Sequence, residues 1–418
     1  MSRIDDLIKQ YAPDGVPRRP LGEVGTFIRG RRFTKDDMVE AGVPAIHYGE
    51  IYTHYGISAT TTRSHVREEI AGTLRYARPG DVIIAGVGET VEDVAKAVAW
   101  IGATDIAIHD DSFAFRSSED PTYMAYVMQT TDFHAQKEKY VARGKVKRVG
   151  GENLGKISVP VPPIEIQREI ARILNELSKL RSELESELGA ERGARRRQYA
   201  HYRDTLFSFA DGESVGWVSI SDLAGSGFFR DGDWVESKDQ DLSGAVRLTQ
   251  LADVGVDVFR DRSNRWMTTD AALRLNCTFL ESGDILIARI PEPLGRACQV
   301  PEGVGPAVTV VDVAILRSRR DDVLPRYVMY AINSHQVQRK VLSFQAGGTR
   351  QRITRKNLGV IEVPIPSLDE QRRIVAVLDK FASLMNDLSS SLPAEIEARR
   401  QQYAYYRDRL LSFEEAAS

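Results

Sequence analysis

Residues 153–209 align with residues 357–413 without a gap, and about half of the paired positions are identical. A constant offset over such a length marks a duplication, so whatever one copy folds into, the other folds into as well. Each copy opens on a VPxP segment. Its prolines (Pro160 and Pro162, then Pro364 and Pro366) suit extended chain and mark where a helix starts. Beyond them the apolar residues follow a three-four rhythm: Ile166, Ile170, Ile173, Leu177, Leu180, Leu184 and Leu188 in the first copy. Ile374, Val377, Phe381, Leu384, Leu388 and Leu392 follow it in the second. That spacing predicts a long helix with a coiled-coil-type seam and a charged opposite face. A second seam closes each copy, at Tyr199, Tyr202, Leu206 and Phe209 and at Tyr403, Tyr406, Leu410 and Phe413. Pro393 in one copy, and Gly189 with Gly193 in the other, predict two nearly collinear segments per copy rather than one continuous helix.

The intervening segments repeat more faintly. Gly80-Asp81-Val82-Ile83-Ile84-Ala85 matches Gly283-Asp284-Ile285-Leu286-Ile287-Ala288, a GD turn feeding an apolar strand. The 121–128 stretch PTYMAYVM matches PRYVMYAI at 325–332, predicting a short helix in each. Residues 7–24 can be laid over 206–223, so the chain begins with something like the tail of a repeat helix. The expectation is a circular pseudo-two-fold repeat in which residues 1–12 pack near the end of the second long helix.

Catalytic constellations are missing from the sequence. It contains no GxxxxGK[ST], GxGxxG, GxSxG or HExxH motif, and Ala85-Gly86-Val87-Gly88 lacks the third glycine of a dinucleotide fingerprint. The seven histidines are scattered and read as surface or singly hydrogen-bonded groups, with no catalytic or metal-ligating set among them. Cys277 and Cys298 form no CxxC pair, so they read as ordinary thiols, and a reducing cytoplasm suits the chain. No apolar run is long enough for a bilayer, and the charged start MSRIDDLIKQ is unlike a signal peptide.

Basic, glycine-containing loops recur in both variable segments. A net charge of −3 argues only mildly against nucleic-acid binding, because the position of cations matters more than their sum. In the first segment the candidates are Arg29, Arg31, Arg32 and Lys35, then Arg143, Lys145, Lys147 and Arg148. In the second they are Arg350, Arg352, Arg355 and Lys356, with Arg230 and Lys238 in a more acidic loop and a patch at Arg260, Arg262 and Arg265. Pro44-Ala45-Ile46-His47-Tyr48 sits where the second segment carries Ala245-Val246-Arg247-Leu248, and His47, Tyr48 and Arg247 complete the residues expected to face DNA. Glycine lets backbone approach a phosphate, while Arg, Lys, His and Tyr side chains can serve phosphates or base edges.

The whole chain resembles the specificity subunit of type I restriction–modification systems. The most specific parts are VPIPSLDEQRRI, its first-copy counterpart ending in QREI, AGGTRQRITRKNL, and LPAEIEARRQQYAYYRDRLLSF. The resemblance implies an α+β fold, with two mixed α/β target recognition domains separated by two long helices that pair antiparallel as a coiled coil. The corresponding boundaries are 1–152 for the N-terminal segment and first recognition domain and 153–210 for the first helix. The second recognition domain spans 211–356 and the second helix 357–418. It also implies that each domain reads half of a bipartite, asymmetric double-stranded DNA site. The helices would set the spacer and dock two methyltransferase subunits through Tyr199, Tyr202, Leu206, Tyr403, Tyr406 and Leu410. Two restriction subunits would complete the complex, and S-adenosylmethionine, ATP and magnesium would belong to partner subunits, leaving this chain without cofactor or catalysis. Two departures stand out: Glu187-Leu188-Gly189-Ala190-Glu191 replaces the second copy's Ser-Leu-Pro-Ala-Glu, and the first loop lacks the Gly348-Thr349 pair. The competing readings are a protein-binding coiled-coil scaffold without DNA readout, and a methyltransferase with fused specificity domains, which would need an NPPY-type motif.

Overall fold

Gly80 and Gly283 adopt φ of +92° and +93°, a left-handed conformation that glycine enters without steric cost. The following residue, Asp81 or Asp284, is almost fully buried and takes a two-pronged contact from an arginine on the neighbouring strand. Arg116 Nε and Nη2 reach Asp81 at 3.0 and 2.7 Å; Arg317 reaches Asp284 at 2.8 and 2.7 Å. From this turn run the strands Val82–Ala85 and Ile285–Ala288, in which every residue is buried. These strands are the centres of two sheets built on one plan.

The computed structural model describes residues 3–144, 146–209, 215–290, 293–345 and 351–416, apart from the side chains at 143 and 385–393. The chain divides into two units: Met1–Glu187 with Ala394–Ser418, and Leu188–Pro393. In the first unit a sheet runs in the order Gly25–Arg29, Ser112–Ser117, Val82–Ala85, Ala97–Trp100, Ser58–Ala59. In the second the order is Phe228–Asp231, Val313–Arg317, Ile285–Ala288, Ala297–Gln299. Each unit adds a smaller sheet with one parallel pairing, Val43–Ile46 on Ile106–Ile108 and Val246–Thr249 on Ala307–Thr309. The mixed α/β character expected for both recognition domains is present.

Both long helices are unbroken elements, Ile164–Leu206 and Leu368–Leu410, each of 43 residues and therefore ~65 Å long. The expected division into two segments is corrected. Two glycines flanked by strong helix formers cost about 1 kcal/mol each, and a proline about 3 kcal/mol through its missing N–H and its clash with the preceding turn, which a helix of this length absorbs. The seam is also shorter than its rhythm suggests. Ile166, Ile170 and Leu174 are buried in the first unit and Ile374 and Leu378 in the second, whereas Leu180 and Leu384 are 62% and 54% exposed.

Within the first unit the start of one helix lies along the end of the other. The Ser178 and Tyr403 hydroxyls are 2.8 Å apart, and Arg400 Nε donates to Glu185 at 3.1 Å. The partner numbers run in opposite directions, so the contact is antiparallel. The helix Arg3–Tyr11 joins the same core: Ile4, Leu7 and Ile8 pack with Leu410, Leu411 and Phe413. Val16 N–H then donates to Glu414 O at 2.9 Å, and Arg18–Pro20 pairs with Ser158–Pro160. In the second unit Gly216–Ser219 pairs with Glu362–Ile365 in the equivalent way. The N-terminal segment thus does for the first unit what the segment after the first long helix does for the second, as a circular repeat requires.

Candidate nucleic-acid interface

In the first unit the parallel pairing of Val43–Ile46 with Ile106–Ile108 delivers the next residue of each strand to one place. The rings of His47 and His109 lie 4.7 Å apart, with Phe33 edge-on to His109 at 5.1 Å and Tyr48 at 5.3 Å. The two histidines are far apart in sequence, so their ring contact was not legible there, while each ring still takes a backbone hydrogen bond at its Nδ1. His109 Nδ1 accepts from Asp111 N–H at 3.1 Å and His47 Nδ1 from Gly49 N–H at 3.2 Å. Burial holds both imidazoles below their ordinary pKa.

The 109–111 turn collects the basic loops. Gly25–Arg29 pairs with Ser112–Ser117, so Arg29 ends beside the turn, and its Nε donates to Asp110 O at 2.7 Å. Arg31 N–H donates to Ile108 O at 3.0 Å. Arg31, Arg32 and Lys35 are exposed; the charge of Arg32 acts on His109 and that of Lys35 on His47. From the other side, Lys147–Arg148 pairs with Val87–Gly88 and brings Arg148 Nη1 to 3.4 Å from Asp111. A cleft of about 260 Å³ lies between, lined by Arg29, Gly86, Asp110, Asp111, Arg148 and Asn153 among others. A Cβ on Gly86 would meet the Phe113 ring at 2.8 Å, so this wall needs glycine. His109, Asp110 and Asp111 hold three ligand-type atoms within 4.8 Å of one another, but both carboxylates already face arginines. Lys147 folds back to donate to Gly144 O at 2.9 Å. Lys145 lies outside the described residues.

The second unit rebuilds this turn at 310–312. Asp233 N–H donates to Thr309 O at 2.8 Å, as Arg31 does to Ile108. Arg289 N–H donates to Asp312 O at 2.9 Å, as Gly86 does to Asp111 at 2.7 Å. Arg352 Nη2 stands 3.7 Å from the Asp312 carboxylate, matching Arg148 and Asp111. The other side differs by a charge swap. Asp231 stands where the first unit has Arg29, and Arg289 where it has Gly86. The Arg289 guanidinium reaches Val311 O at 2.6 Å, the counterpart of the carbonyl that Arg29 reaches. Asp231 is 3.1 Å from Arg289 and 3.3 Å from Arg355. Arg289 is buried, whereas Arg352, Arg355 and Lys356 are exposed. Arg350 lies outside the described residues.

Two sets of expected site residues are placed differently. Arg247 is corrected: its side chain is 8% exposed, turned inward onto Asp253 at 3.1 Å and paired with Asp261. It organises a loop instead of facing a ligand. Lys238 is exposed and paired with Glu236 at 2.8 Å. Of the residues expected to dock partners, four are occupied inside the chain. Tyr199 donates to Asp257, Tyr403 meets Ser178 beneath the Arg181 guanidinium, and Leu206 and Leu410 pack on their units' cores. Tyr202, whose ring stacks on Phe381 with centroids 5.1 Å apart, and Tyr406 stay 41% and 43% exposed. Sequence reasoning gave no role to Asp111 and Asp312; their one signal was acidic residues interrupting apolar stretches, in His109-Asp110-Asp111-Ser112 and at Asp312 between Val311 and Val313.

No described helix is long and apolar enough to cross a membrane. Among solved structures, a chain from a study of complex assembly and conformational transition of the type I R-M system shares the fold with a TM-score of 0.73 at 19% identity. That match covers 96% of this chain and 98% of the other. The HsdS subunit of Thermoanaerobacter tengcongensis matches with a TM-score of 0.53, also at 19% identity, over 96% of each chain. In sequence, the chain is 30% identical over 280 residues to the Type I restriction enzyme EcoR124I/EcoR124II specificity subunit of Escherichia coli, covering 65% of this chain and 67% of that one. It is 31% identical over 264 residues to the putative type I restriction enzyme specificity subunit S.HindORF215P of Haemophilus influenzae, covering 62% and 65%. The aligned stretches thus span about two thirds of these relatives. Residues 13–191 and 249–398, which take in both turns and most of both long helices, match the type I restriction modification DNA specificity domain, and this chain belongs to that family.

Proposed function

We propose that the chain is the non-catalytic, sequence-reading subunit of a type I restriction–modification complex. Each unit reads one half of a bipartite, asymmetric double-stranded DNA site. The two long helices set the spacer between the halves and dock two methyltransferase subunits, with two restriction subunits completing the assembly. S-adenosylmethionine, ATP and magnesium are held by those partners.

One observation carries this reading. Exposed arginines, Arg148 and Arg352, stand beside equivalent turns in both units, at 3.4 and 3.7 Å from equivalent aspartates. A duplicated chain that reads two half-sites needs one such surface per unit. Arg29, Arg31, Arg32, Lys35, His47 and Tyr48 extend that surface in the first unit, and Arg355, Lys356 and Lys238 in the second. Phosphate contacts by such cations make affinity fall steeply with salt, while neighbouring side chains read base edges.

The test is methylome sequencing of a host that carries this chain with its methyltransferase, paired with duplex binding by the purified complex across salt. The expected result is one split motif with a fixed gap and selective, salt-dependent binding. A complex that methylates without sequence preference, or methyl transfer by this chain alone, would overturn the reading.

A further inference from the structure

A carboxylate beside a DNA-facing arginine is an electrostatic liability, because it repels the polyanion that the arginine attracts. Both units nevertheless keep one at the same structural position. Asp111 is 18% exposed and Asp312 34% exposed, and each faces an arginine side chain that is 57% exposed. The backbone of each aspartate is tied down. The Asp111 N–H donates to His109 Nδ1 at 3.1 Å and its carbonyl accepts from Gly86 N–H at 2.7 Å. The Asp312 carbonyl accepts from Arg289 N–H at 2.9 Å. The arginines come from the opposite side in matching ways. Val149 N–H, next to Arg148, donates to Gly86 O at 3.0 Å; Ile353 N–H, next to Arg352, donates to Arg289 O at 3.0 Å.

We propose that Asp111 and Asp312 are positioning residues that hold Arg148 and Arg352 ready to grip a DNA backbone phosphate. This rests on the DNA-reading function proposed above and names how one part of that surface works. At 3.4 and 3.7 Å the pairs are charge contacts longer than a hydrogen bond, so they restrain the guanidinium while it stays 57% exposed and open to a closer partner. A free arginine samples many rotamers and loses that freedom on binding; one already aimed loses less. The phosphate, carrying a full charge and several acceptor oxygens, then replaces the carboxylate as the closer partner. The two units differ in what stands alongside. Arg29 is half exposed and supplies the first unit with a second cation at the turn, whereas its counterpart on the equivalent carbonyl, Arg289, is buried against Asp231.

The test is a double-mutant cycle in the full chain with its methyltransferase, using duplex DNA that carries the mapped site. Arg148→Ala should weaken binding about tenfold and lower the magnitude of the salt slope by about 0.9, the loss of one phosphate contact. Asp111→Asn should also weaken binding, by about three- to fivefold, although it removes a negative charge from the interface. The double variant should bind no more weakly than Arg148→Ala alone, and Asp312→Asn with Arg352→Ala should repeat the pattern. Unchanged thermal unfolding of Asp111→Asn separates the effect from a folding defect. The proposal falls if Asp111→Asn binds as tightly as the unaltered chain or more tightly, or if the two losses multiply in the double variant. Those outcomes leave the DNA-reading function standing; absence of selective binding by the unaltered complex would instead remove both.

Discussion

The Tyr199 hydroxyl donates to the Asp257 carboxylate at 2.8 Å, tying the second recognition domain to the first long helix inside one unit. Arg203, one turn along the helix, stands 3.3 Å from the same oxygen, and Asn333 Nδ2 donates to the other at 2.7 Å. Asp257 is 5% exposed, and burial raises its pKa against the opposing pull of Arg203. The equivalent tyrosine of the first unit, Tyr403, meets the Ser178 hydroxyl instead. The two units therefore share an anchor point but fasten it with different chemistry. Asp257 also has φ of +62°, which asparagine tolerates, so Asp257→Asn isolates the loss of charge. That change is expected to cost about 2 kcal/mol, the scale of charge-assisted hydrogen bonds. Denaturant unfolding of the full chain checks it; a loss under 0.5 kcal/mol would show that the neutral amide holds the anchor equally well.

Gln167 and Gln371 are both fully buried and make the same bracket in each unit. Gln371 accepts from Leu324 N–H and donates to Pro366 O and Asp322 O, each at 2.9 Å. Gln167 accepts from Asp120 N–H at 2.9 Å and donates to Pro162 O at 2.7 Å. Each therefore pins the start of a short helix to the start of a long one. Gln371→Leu keeps the volume but strands three backbone groups, each costing ~1–3 kcal/mol when buried without a partner. A loss of roughly 3 kcal/mol is expected. Recovery of most of it by Gln371→Glu at acid pH, where the protonated carboxyl can again donate, would confirm that the bonds and not the shape are responsible.

The same residues show where sequence reading stops. The repeat exposes the helices because duplication doubles a 3.6-residue rhythm, and the GD turns are legible because glycine and a strand-forming run leave a local signature. The QREI and QRRI motifs are visible as repeated text, yet the role of their glutamine depends on a carbonyl of the proline turn and on a backbone N–H in a loop 47 residues away. His47 and His109 meet only through parallel strand pairing, which no local pattern announces. Arg247 reads in the sequence as a residue facing DNA, because charge and position alone do not reveal that Asp253 and Asp261 fold onto it. Leu180 and Leu384 fit the seam's spacing, but periodicity marks a face and not how far the opposing surface extends.

Acid should weaken the first unit specifically. Burial, aided by Lys137 and Arg407, pushes His134 down to about 4, and burial lowers His47 and His109 as well. All three belong to the first unit. Their folded-state pKa values lie below the unfolded value of 6.5, so the unfolded chain binds more protons in between. Stability is therefore fully present above about pH 6.5 and declines as pH falls toward 4. His134 is partly solvated, so its contribution stays below the ~1.4 kcal/mol per pH unit of a fully buried group. Denaturant unfolding at pH 7 and pH 5 should show a smaller acid-induced loss in His134→Gln than in the unaltered chain. Identical losses would mean that this imidazole accepts its proton in the folded state.

The continuous helices make the spacer hypothesis testable by length. Both units' boundaries fall within these helices, at 187–188 and 393–394. Inserting the same short helical stretch beside Gly189 and beside Pro393 lengthens each by about 1.5 Å per residue while leaving both turns and their arginines untouched. Four residues add ~6 Å, close to the rise of two base pairs at ~3.4 Å each. They also rotate the helix by slightly more than one turn, so the face that each helix presents is nearly preserved. Methylome sequencing should then return the same two half-site sequences separated by a gap longer by one or two base pairs. A changed half-site would mean that the helices shape readout itself, and an unchanged gap would mean that spacing is set elsewhere in the complex. A one-residue insertion supplies the contrast: it adds only ~1.5 Å but turns the helix face by about 100°, so it should abolish selective methylation, whereas the four-residue insertion preserves it with a longer gap.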